Sequence, residues 1–232
     1  MQDDFKLLVR ARSGLNDTFS AVAYYIDFFN RNHLNYENLH FTSEYGDLNQ
    51  YFDIEKIKYI KDPNPSIYNF ISDYCNGRDT NLNINSKEHI SNFIKVKSNI
   101  QKDFKKYENY IGLHFRFINL EMDKEFYESE HNFYLESFFK IYNKNEKYIV
   151  CSDSTIINDM LNNIDNVTIL TCGENINNHE HNVKVQKRKD TIINALSDLF
   201  ALASCKVIYK TKGHFTNLCK LFNHNINIKN LI

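Results

Sequence analysis

The chain has 232 residues, of which 42% are hydrophobic and 25% are charged, and its formal net charge is −1. That length is enough for one large domain or two small ones with a buried core. A nearly neutral chain lacks the overall positive field that drives non-specific nucleic-acid binding, so any site for an anion must be local.

Cysteine content and hydropathy indicate the compartment. The five cysteines are an odd number without CxxC spacing, which favours reduced, buried thiols over disulfides or a zinc site. The opening MQDDFKLLVRARSG lacks the apolar centre of a signal peptide, and no run approaches the ~18 apolar residues of a membrane span. We therefore expect a cytoplasmic protein.

Strand and helix patterns alternate along the chain. In the first half, strands are predicted over 5–11, 38–42 and 56–60, and helices over 14–32, 66–75 and 86–107. In the second half, strands are predicted over 110–117, 147–153, 166–171, 182–186 and 206–210, and helices over 131–143, 154–163, 188–204 and 215–222. This alternation indicates an α/β protein with parallel sheets flanked by helices. The strand at 110 divides it into a first domain, 1–106, and a second domain, 107–232.

The strand YIGLHFRF (110–117) carries two polar side chains on one face. Gly112, His114 and Arg116 alternate with apolar residues, and the period of two points all three to the same side of the sheet. The guanidinium has a fixed fork of donors that suits phosphate oxygens, and the imidazole can donate to a second oxygen or to a base. A structural ion pair between Arg116 and a buried carboxylate explains the triplet equally well, so both interpretations stay open.

The turn KTKGHFTN (210–217) lies between a predicted strand and a predicted helix. Its glycine, Gly213, lets backbone N–H groups approach a ligand closely, and the following helix presents its unpaired amides there. Further donors come from lysine, histidine and threonine side chains: Lys210, Thr211, Lys212, His214 and Thr216. Taken alone, the pattern favours a helix cap with solvated lysines.

Asp198 stands out because its predicted helix, 188–204, is almost wholly apolar around it. Ala195 and Leu202, three residues before it and four after, place the carboxylate on a packed face. A buried carboxylate is costly unless it finds donors, and guanine offers two adjacent ones in its ring N–H and its exocyclic amine. A lysine, an arginine or a backbone amide would satisfy the same carboxylate, and for an isolated aspartate that explanation prevails.

Other motifs narrow the chemistry. RARSGLND (10–17) resembles a phosphate loop only loosely, because Ser13 as N-cap and Asp17 in the first helical turn explain it. The motifs GxGxxG, GxxxxGK[ST], HExxH and GxSxG are absent, as is any Asp-x-Asp pair that would clamp a metal–diphosphate. The stretch HEH at 179–181 is flanked by asparagines and is better explained as polar surface than as a metal site.

The order of these features resembles the fucosyltransferase superfamily that contains the α-1,2-, α-1,6- and protein-O-fucosyltransferases. In chain order the features are the Gly-Leu-Asn turn, the strand with His114 and Arg116, a strand ending in Ser152-Asp153, the helix with Asp198, and the TKGHFT turn. The resemblance covers residues 5–31 and 110–222. It implies a GT-B-like fold of two Rossmann-like lobes, an acceptor-side lobe over 1–106 and a nucleotide-sugar-binding lobe over 107–232.

The resemblance also assigns individual residues. The superfamily's first motif commonly reads H-[IV]-R-R-x-D; His114 and Arg116 match it, while Phe117 replaces the second arginine and the later aspartate is absent. Arg116 is then expected on the donor's β-phosphate and Asp198 on guanine, with the residues around Gly213 on the diphosphate. The full donor-binding set expected on this basis is Gly14, Asn16, His114, Arg116, Ser152, Asp153, Asp198, Thr211, Lys212, Gly213 and His214.

The implied reaction is a metal-independent transfer of a sugar, with fucose as the leading donor sugar, that inverts the anomeric centre. Without a metal, the charge that grows on the departing diphosphate must be met by fixed donors, here Arg116, the Gly213 amide and Lys212. A carboxylate should accept the proton of the acceptor hydroxyl. The candidates for this general base stay open: Glu121, Asp123, Glu125 and Asp17.

The partners expected are a GDP-sugar donor, with no other cofactor, and an oligosaccharide or lipid-linked glycan acceptor. Peripheral membrane association is compatible with such an acceptor, and no nucleic-acid partner is expected. A second hypothesis is a non-catalytic nucleotide- or glycan-binding accessory protein of the same fold, which the replacement at Phe117 favours. A third, an α/β hydrolase or phosphatase acting at the His114 and Arg116 face, lacks an evident nucleophile.

Overall fold

The computed structural model describes residues 5–11, 15–43, 47–54, 57–74, 94–97, 105–117, 124–170, 185–213, 215–223 and 225–232. The chain divides into two compact units, Met1–Gln101 and Lys102–Ile232. The division falls slightly before the 106/107 boundary that the sequence predicts. Within the described ranges, none of the helices combines the length and the apolar character needed to span a bilayer.

The first unit contains a four-stranded parallel sheet and a short antiparallel pair. Its elements are β1 (Leu7–Ala11), α1 (Leu15–Arg31), β2 (Leu39–Ser43), β3 (Phe52–Ile54), β4 (Lys58–Tyr59), β5 (Phe70–Tyr74) and β6 (Ile94–Val96). The parallel sheet has the order β4-β2-β1-β5, and β3 pairs with β6. The central position of β1 explains its apolar sequence, since Leu7, Leu8 and Val9 are each at most 1% exposed.

Two helices predicted in the first half are wrong. The described residues of 66–75 form instead part of a 3₁₀ turn, Pro65–Ile67, followed by β5, which pairs in parallel with β1; Cys75 lies outside the described ranges. Within 86–107, the described residues form β6 and a 3₁₀ turn, Lys105–Tyr107, while the rest lies outside the described ranges. A short apolar run has no periodicity that separates a buried strand from a helix, and pairing with the central strand decides the outcome.

The second unit contains a wholly parallel sheet. Its strands are β7 (Tyr110–Phe115), β8 (Lys147–Ser152), β9 (Val167–Ile169), β10 (Val207–Lys210) and β11 (Asn227–Asn230), and its helices are α2 (Lys124–Ile141), α3 (Thr155–Leu161), α4 (Val185–Ser204) and α5 (Cys219–Phe222). The strand order is β11-β10-β7-β8-β9. The chain therefore moves outward from β7 to β9 and then returns to the other side of β7. The strand order reverses between β7 and β10.

Strand β7 packs differently on its two faces. Leu113 and Phe115 join an apolar cluster with Tyr134 of α2 and with residues of α3. Gly112 faces α4, where an added Cβ would lie 2.9 Å from Leu202 Cδ2. Any larger residue there would force the Leu202 side chain to shift, so the glycine suits the close approach of the helix to the sheet.

Most elements predicted for the second unit are confirmed. The strands predicted over 110–117, 147–153, 166–171 and 206–210 are present, as are the helices predicted over 131–143, 154–163 and 188–204. The strand predicted over 182–186 is wrong, since Val185 begins α4 and residues 182–184 lie outside the described ranges. The helix predicted over 215–222 begins as a 3₁₀ turn, Phe215–Leu218, and continues as α5. Strand β11 was not predicted from the sequence.

Three cysteines of this unit are buried and free: Cys151, Cys205 and Cys219. Burial raises the pKa of each thiol, that of Cys205 to about 12. The prediction of reduced, buried thiols is confirmed for these three, while Cys75 and Cys172 lie outside the described ranges.

Candidate functional site

Two segments of the predicted site meet where the strand order reverses. His114 of β7 lies beside Lys210 of β10 in the parallel register. The Thr211 N–H donates to the His114 carbonyl (3.1 Å), and the Arg116 N–H donates to Thr211 Oγ1 (2.9 Å). In open α/β sheets, ligands bind outside the carboxyl ends of the strands at such a reversal. The position of these segments therefore favours a binding site.

Arg116 is anchored by a carboxylate that follows the next strand. Its Nη1 forms an ion pair with Asp153, and the other Asp153 oxygen accepts the Phe117 N–H (2.9 Å). The Arg116 side chain is 43% exposed, against 16% for Asp153. Burial raises the pKa of Asp153, and Arg116 opposes that shift. The ion-pair interpretation of the sequence is confirmed, and the guanidinium has more N–H donors than this pair uses.

His114 is buried and uncharged at neutral pH. Its ring stacks on Phe215, with centroids 5.2 Å apart and planes at 23°. Burial lowers the pKa of His114 to about 3, and Arg116 and Lys210 add to the shift. Within the described part of the chain, its buried Nδ1 has no hydrogen-bond partner. Buried polar atoms are seldom left unsatisfied, so Nδ1 is a candidate contact for a polar ligand.

The turn after β10 lies against Arg116. Gly213 has a φ of 86°, in the left-handed region that favours glycine, and a Cβ added there would lie 3.5 Å from Arg116 Cγ. Lys210 Nζ donates to the Gly213 carbonyl (2.8 Å), which fixes the turn. The structure thus brings together the guanidinium and the glycine turn, which the family resemblance predicts at one diphosphate site.

Lys212 has a partner that sequence reasoning missed. Glu130 of α2, only 8% exposed, forms an ion pair with Lys212 and accepts a hydrogen bond from the Tyr134 hydroxyl (2.8 Å). Burial first, and then Glu130, raises the pKa of Tyr134, so the phenol keeps its proton. A signal was present in the sequence. Glu130, Tyr134 and Phe138 recur at intervals of four, which puts a carboxylate on the apolar stripe of the helix.

Ser152 and Asp198 both have hydrogen-bond partners within the second unit. Ser152 Oγ accepts the Ser154 N–H (3.0 Å) in the turn that begins α3. Asp198 of α4 makes a hydrogen bond with Cys151, the residue of β8 that lies beside His114 in the sheet. Parallel neighbours in register point to the same face. Asp198 therefore lies on the sheet face that His114 occupies.

The departure from the H-[IV]-R-R motif has a structural explanation. Phe117 is 8% exposed, stacks on His131 with ring centroids 4.0 Å apart, and packs against Tyr134. It belongs to the same apolar cluster as Phe115. The side chain at position 117 therefore packs in the core. It does not lie on the side where Arg116 contacts Gly213, so phenylalanine there leaves the cation of that side, Arg116, in place.

The remaining predicted residues are described only in part. Gly14, Glu121, Asp123 and His214 lie outside the described ranges, as does the HEH stretch at 179–181. Asn16 and Asp17 lie in the first turn of α1 and Glu125 in the first turn of α2, where the structure describes the backbone alone. The geometry therefore selects none of the four candidate general bases. Among the described side chains, no group of three or more His, Cys, Asp or Glu residues could hold a metal ion.

Comparison with known proteins reveals a likeness in fold. No protein-family model matches the chain, and no curated protein matches it. NodZ α-1,6-fucosyltransferase soaked with GDP-fucose is 16% identical, with 94% of this chain and 93% of that chain covered and a TM-score of 0.65. Its GDP co-crystal is 17% identical (94% and 93% covered, TM-score 0.62), and fucosyltransferase NodZ from Bradyrhizobium is 17% identical (94% and 94%, TM-score 0.63). At this identity the likeness establishes the fold alone, and it confirms the predicted α/β fold with two parallel sheets flanked by helices.

Proposed function

We propose that this chain is a metal-independent, inverting glycosyltransferase of the cytoplasm that moves a sugar, in the first instance fucose, from a GDP-sugar to a glycan. The observation that carries the proposal is the anchored Arg116 guanidinium beside the Gly213 turn, at the strand-order reversal of the second unit. Solved structures of similar fold include one soaked with GDP-fucose and one co-crystallized with GDP. Both ligands contain a diphosphate, the group that a guanidinium and a glycine turn suit.

Stabilisation of the leaving group is the main task of these residues. When the bond between the sugar and the diphosphate breaks, negative charge accumulates on the β-phosphate, and donors that are already in place stabilise it without reorganisation. We assign this role to Arg116, the Gly213 N–H and Lys212. Because Asp153 holds Arg116, the guanidinium meets the phosphate in a fixed orientation.

Recognition of the nucleoside falls to the sheet face that carries His114. The uncharged imidazole offers a buried Nδ1 without a partner among the described residues. We assign the Asp198 carboxylate, which lies on the same sheet face, to the two adjacent N–H donors of guanine. The other donor contacts, from Gly14, Asn16 and His214, remain predictions.

We place the acceptor, an oligosaccharide or lipid-linked glycan, on the first unit. A groove of about 680 Å³ opens at the carboxyl ends of β1 and β2, and its lining residues are Arg10, Ala11, Thr42, Ser43, Asp62, Pro63 and Asn64. This mixture of charged, hydroxyl and amide groups suits the many hydroxyls of a sugar. The acceptor hydroxyl must lose its proton to a carboxylate, for which the candidates are Asp17, Glu121, Asp123 and Glu125.

Melting curves test the donor assignment. GDP should raise the Tm in the presence of EDTA, since a ligand at 100 times its Kd stabilises the folded state by about 2.7 kcal/mol. UDP, CDP and ADP should raise it less. Arg116→Ala should abolish the GDP shift while the protein stays folded, with a lower ligand-free Tm because Asp153 loses its cation. Arg116→Lys, which keeps a cation, should retain part of the shift. If millimolar GDP leaves the wild-type Tm unmoved, the donor assignment is wrong.

Turnover of GDP-fucose separates an enzyme from a binding protein. GDP release should depend on a suitable oligosaccharide in an acceptor panel. The general base is the carboxylate whose replacement abolishes transfer and leaves GDP binding intact, to be sought with Asp17→Asn, Glu121→Gln, Asp123→Asn and Glu125→Gln. Binding of GDP without turnover on any acceptor would instead support the non-catalytic accessory protein.

A further inference from the structure

A buried carboxylate on α2 controls where the Lys212 ammonium lies. Glu130 is 8% exposed, and its described partners are that ammonium and the Tyr134 hydroxyl (2.8 Å). Removing a carboxylate from water is costly unless cations or hydrogen-bond donors replace its hydration. Glu130 is therefore tied to Lys212 for its own solvation, and Lys212 is tied to Glu130 for its position.

Without Glu130, the Lys212 ammonium would lack a fixed place. A lysine side chain is a flexible four-carbon stem that ends in a point charge, and that of Lys212 is 44% exposed. The backbone on either side is ordered by hydrogen bonds, since the Thr211 N–H donates to the His114 carbonyl (3.1 Å) and the Gly213 carbonyl accepts a bond from Lys210 Nζ (2.8 Å). The ion pair extends this order to the ammonium, which has three donors and keeps some of them for a phosphate.

Tyr134 connects the pair to the Arg116 side of the site. Its hydroxyl donates to Glu130 and also interacts with the Thr211 side chain. Thr211 in turn accepts the Arg116 N–H. The Lys212 ammonium and the Arg116 backbone are therefore joined through Glu130, Tyr134 and Thr211, while Asp153 holds the Arg116 guanidinium itself.

We propose that Glu130 is a positioning residue that, together with Tyr134, holds the Lys212 ammonium toward the diphosphate of the nucleotide sugar. The inference rests on the proposed function, because it requires a nucleoside diphosphate in this site. Glu130 acts through Lys212 and makes no contact with the donor. The direction in which GDP affinity changes when Glu130 is replaced distinguishes a positioning residue from a bystander, meaning a nearby carboxylate that does not hold Lys212. A carboxylate near an anion repels it, so deleting a bystander tightens GDP binding, whereas deleting a positioning residue weakens it.

Calorimetric GDP and GMP affinities of four full-length proteins test the inference: wild type, Glu130→Gln, Lys212→Ala and the double variant. Lys212→Ala should weaken GDP binding about tenfold, as expected for one charge-assisted hydrogen bond, and Glu130→Gln about threefold. The double variant should bind GDP no more weakly than Lys212→Ala alone, because Glu130 acts through Lys212 and its replacement also removes an unpaired negative charge. GMP lacks the second phosphate, so the variants should lose less affinity for GMP than for GDP. A general destabilisation of the fold would weaken the binding of both nucleotides alike.

Two further variants keep the test decisive. Tyr134→Phe removes one hydroxyl and keeps the buried ring, so it serves if Glu130→Gln fails to fold; it should weaken GDP binding about twofold. Lys212→Arg keeps a cation and should bind GDP more tightly than Lys212→Ala. Wild-type or tighter GDP binding by Glu130→Gln, or by Tyr134→Phe in its place, overturns the positioning role and leaves the donor site standing. Additive losses in the double variant overturn it as well. A wild type that binds no GDP overturns the proposed function and this inference together.

Discussion

Acidification should destabilise the second unit through one buried histidine. The pKa of His114 is lowered from an ordinary 6.5 to about 3, chiefly because burial disfavours the imidazolium. Between those values the unfolded chain binds a proton that the folded unit does not. The stability from His114 is therefore complete above pH 6.5 and is lost as the pH falls toward 3. From pH 7 to pH 5, the linkage relation gives a loss of about 2 kcal/mol from this residue.

The matched comparison is wild type against His114→Gln, which removes the titrating group. Other titrating groups, including the buried His40 of the first unit, are common to both proteins, so their contributions largely cancel. Hydrogen exchange of the β7 amides at pH 5 and pH 7, corrected for intrinsic rates, reports the opening free energy of this unit. The wild type should lose about 2 kcal/mol more than the variant. Equal losses would mean that His114 titrates in the folded unit as it does in the unfolded chain, and they would refute the lowered pKa of this imidazole.

Three substitutions test the packing around the site. Gly112→Ala should lower the free energy of unfolding by about 1–3 kcal/mol, because the new methyl group would lie 2.9 Å from Leu202 Cδ2; an unchanged urea midpoint would contradict that close approach. Gly213→Ala should cost about 1–2 kcal/mol for its φ of 86° and reduce the GDP melting shift, while Gly213→Asn should be milder; a full shift in the alanine variant would show that the turn conformation is unimportant. Ser154→Ala removes the acceptor of the Ile157 N–H at the start of α3 and the hydroxyl that bonds with His131 Nε2 (2.6 Å), and should cost about 1–2 kcal/mol by thermal unfolding. An unchanged Tm would mean that this cap contributes little.

Segments with a regular apolar period predict this fold better than apolar runs without one. The alternation in YIGLHFRF predicts β7 because its apolar residues pack on one side of the sheet while Gly112 accommodates α4 on the other. The segment Phe70–Tyr74 has no such regularity. It is a strand because β1 offers it a partner, and that information lies far away in the sequence.

The cations of the site could be predicted from local sequence, whereas their anchors could not. Arg116 and Gly213 stand out by residue type and by position at strand ends. Asp153 was expected among the donor contacts, but in the structure it bonds to Arg116 and to a backbone N–H. Glu130 lies on the apolar stripe of α2, which signals its burial, but the lysine that pairs with it is 82 residues later in the chain. Such pairings are decided by the docking of α2 beside the turn after β10, which no local window contains.

The hydrogen bond from the Arg116 N–H to Thr211 Oγ1 joins residues 95 positions apart. During synthesis, a growing chain that has completed β7 cannot form this hydrogen bond until β10 and Thr211 have left the ribosome. Closing so long a loop costs entropy before the contacts it allows can form. Nucleotide retention would then report finished folding of the whole second unit, and a nascent fragment that stops before Val207 should release GDP whatever helices it has already made.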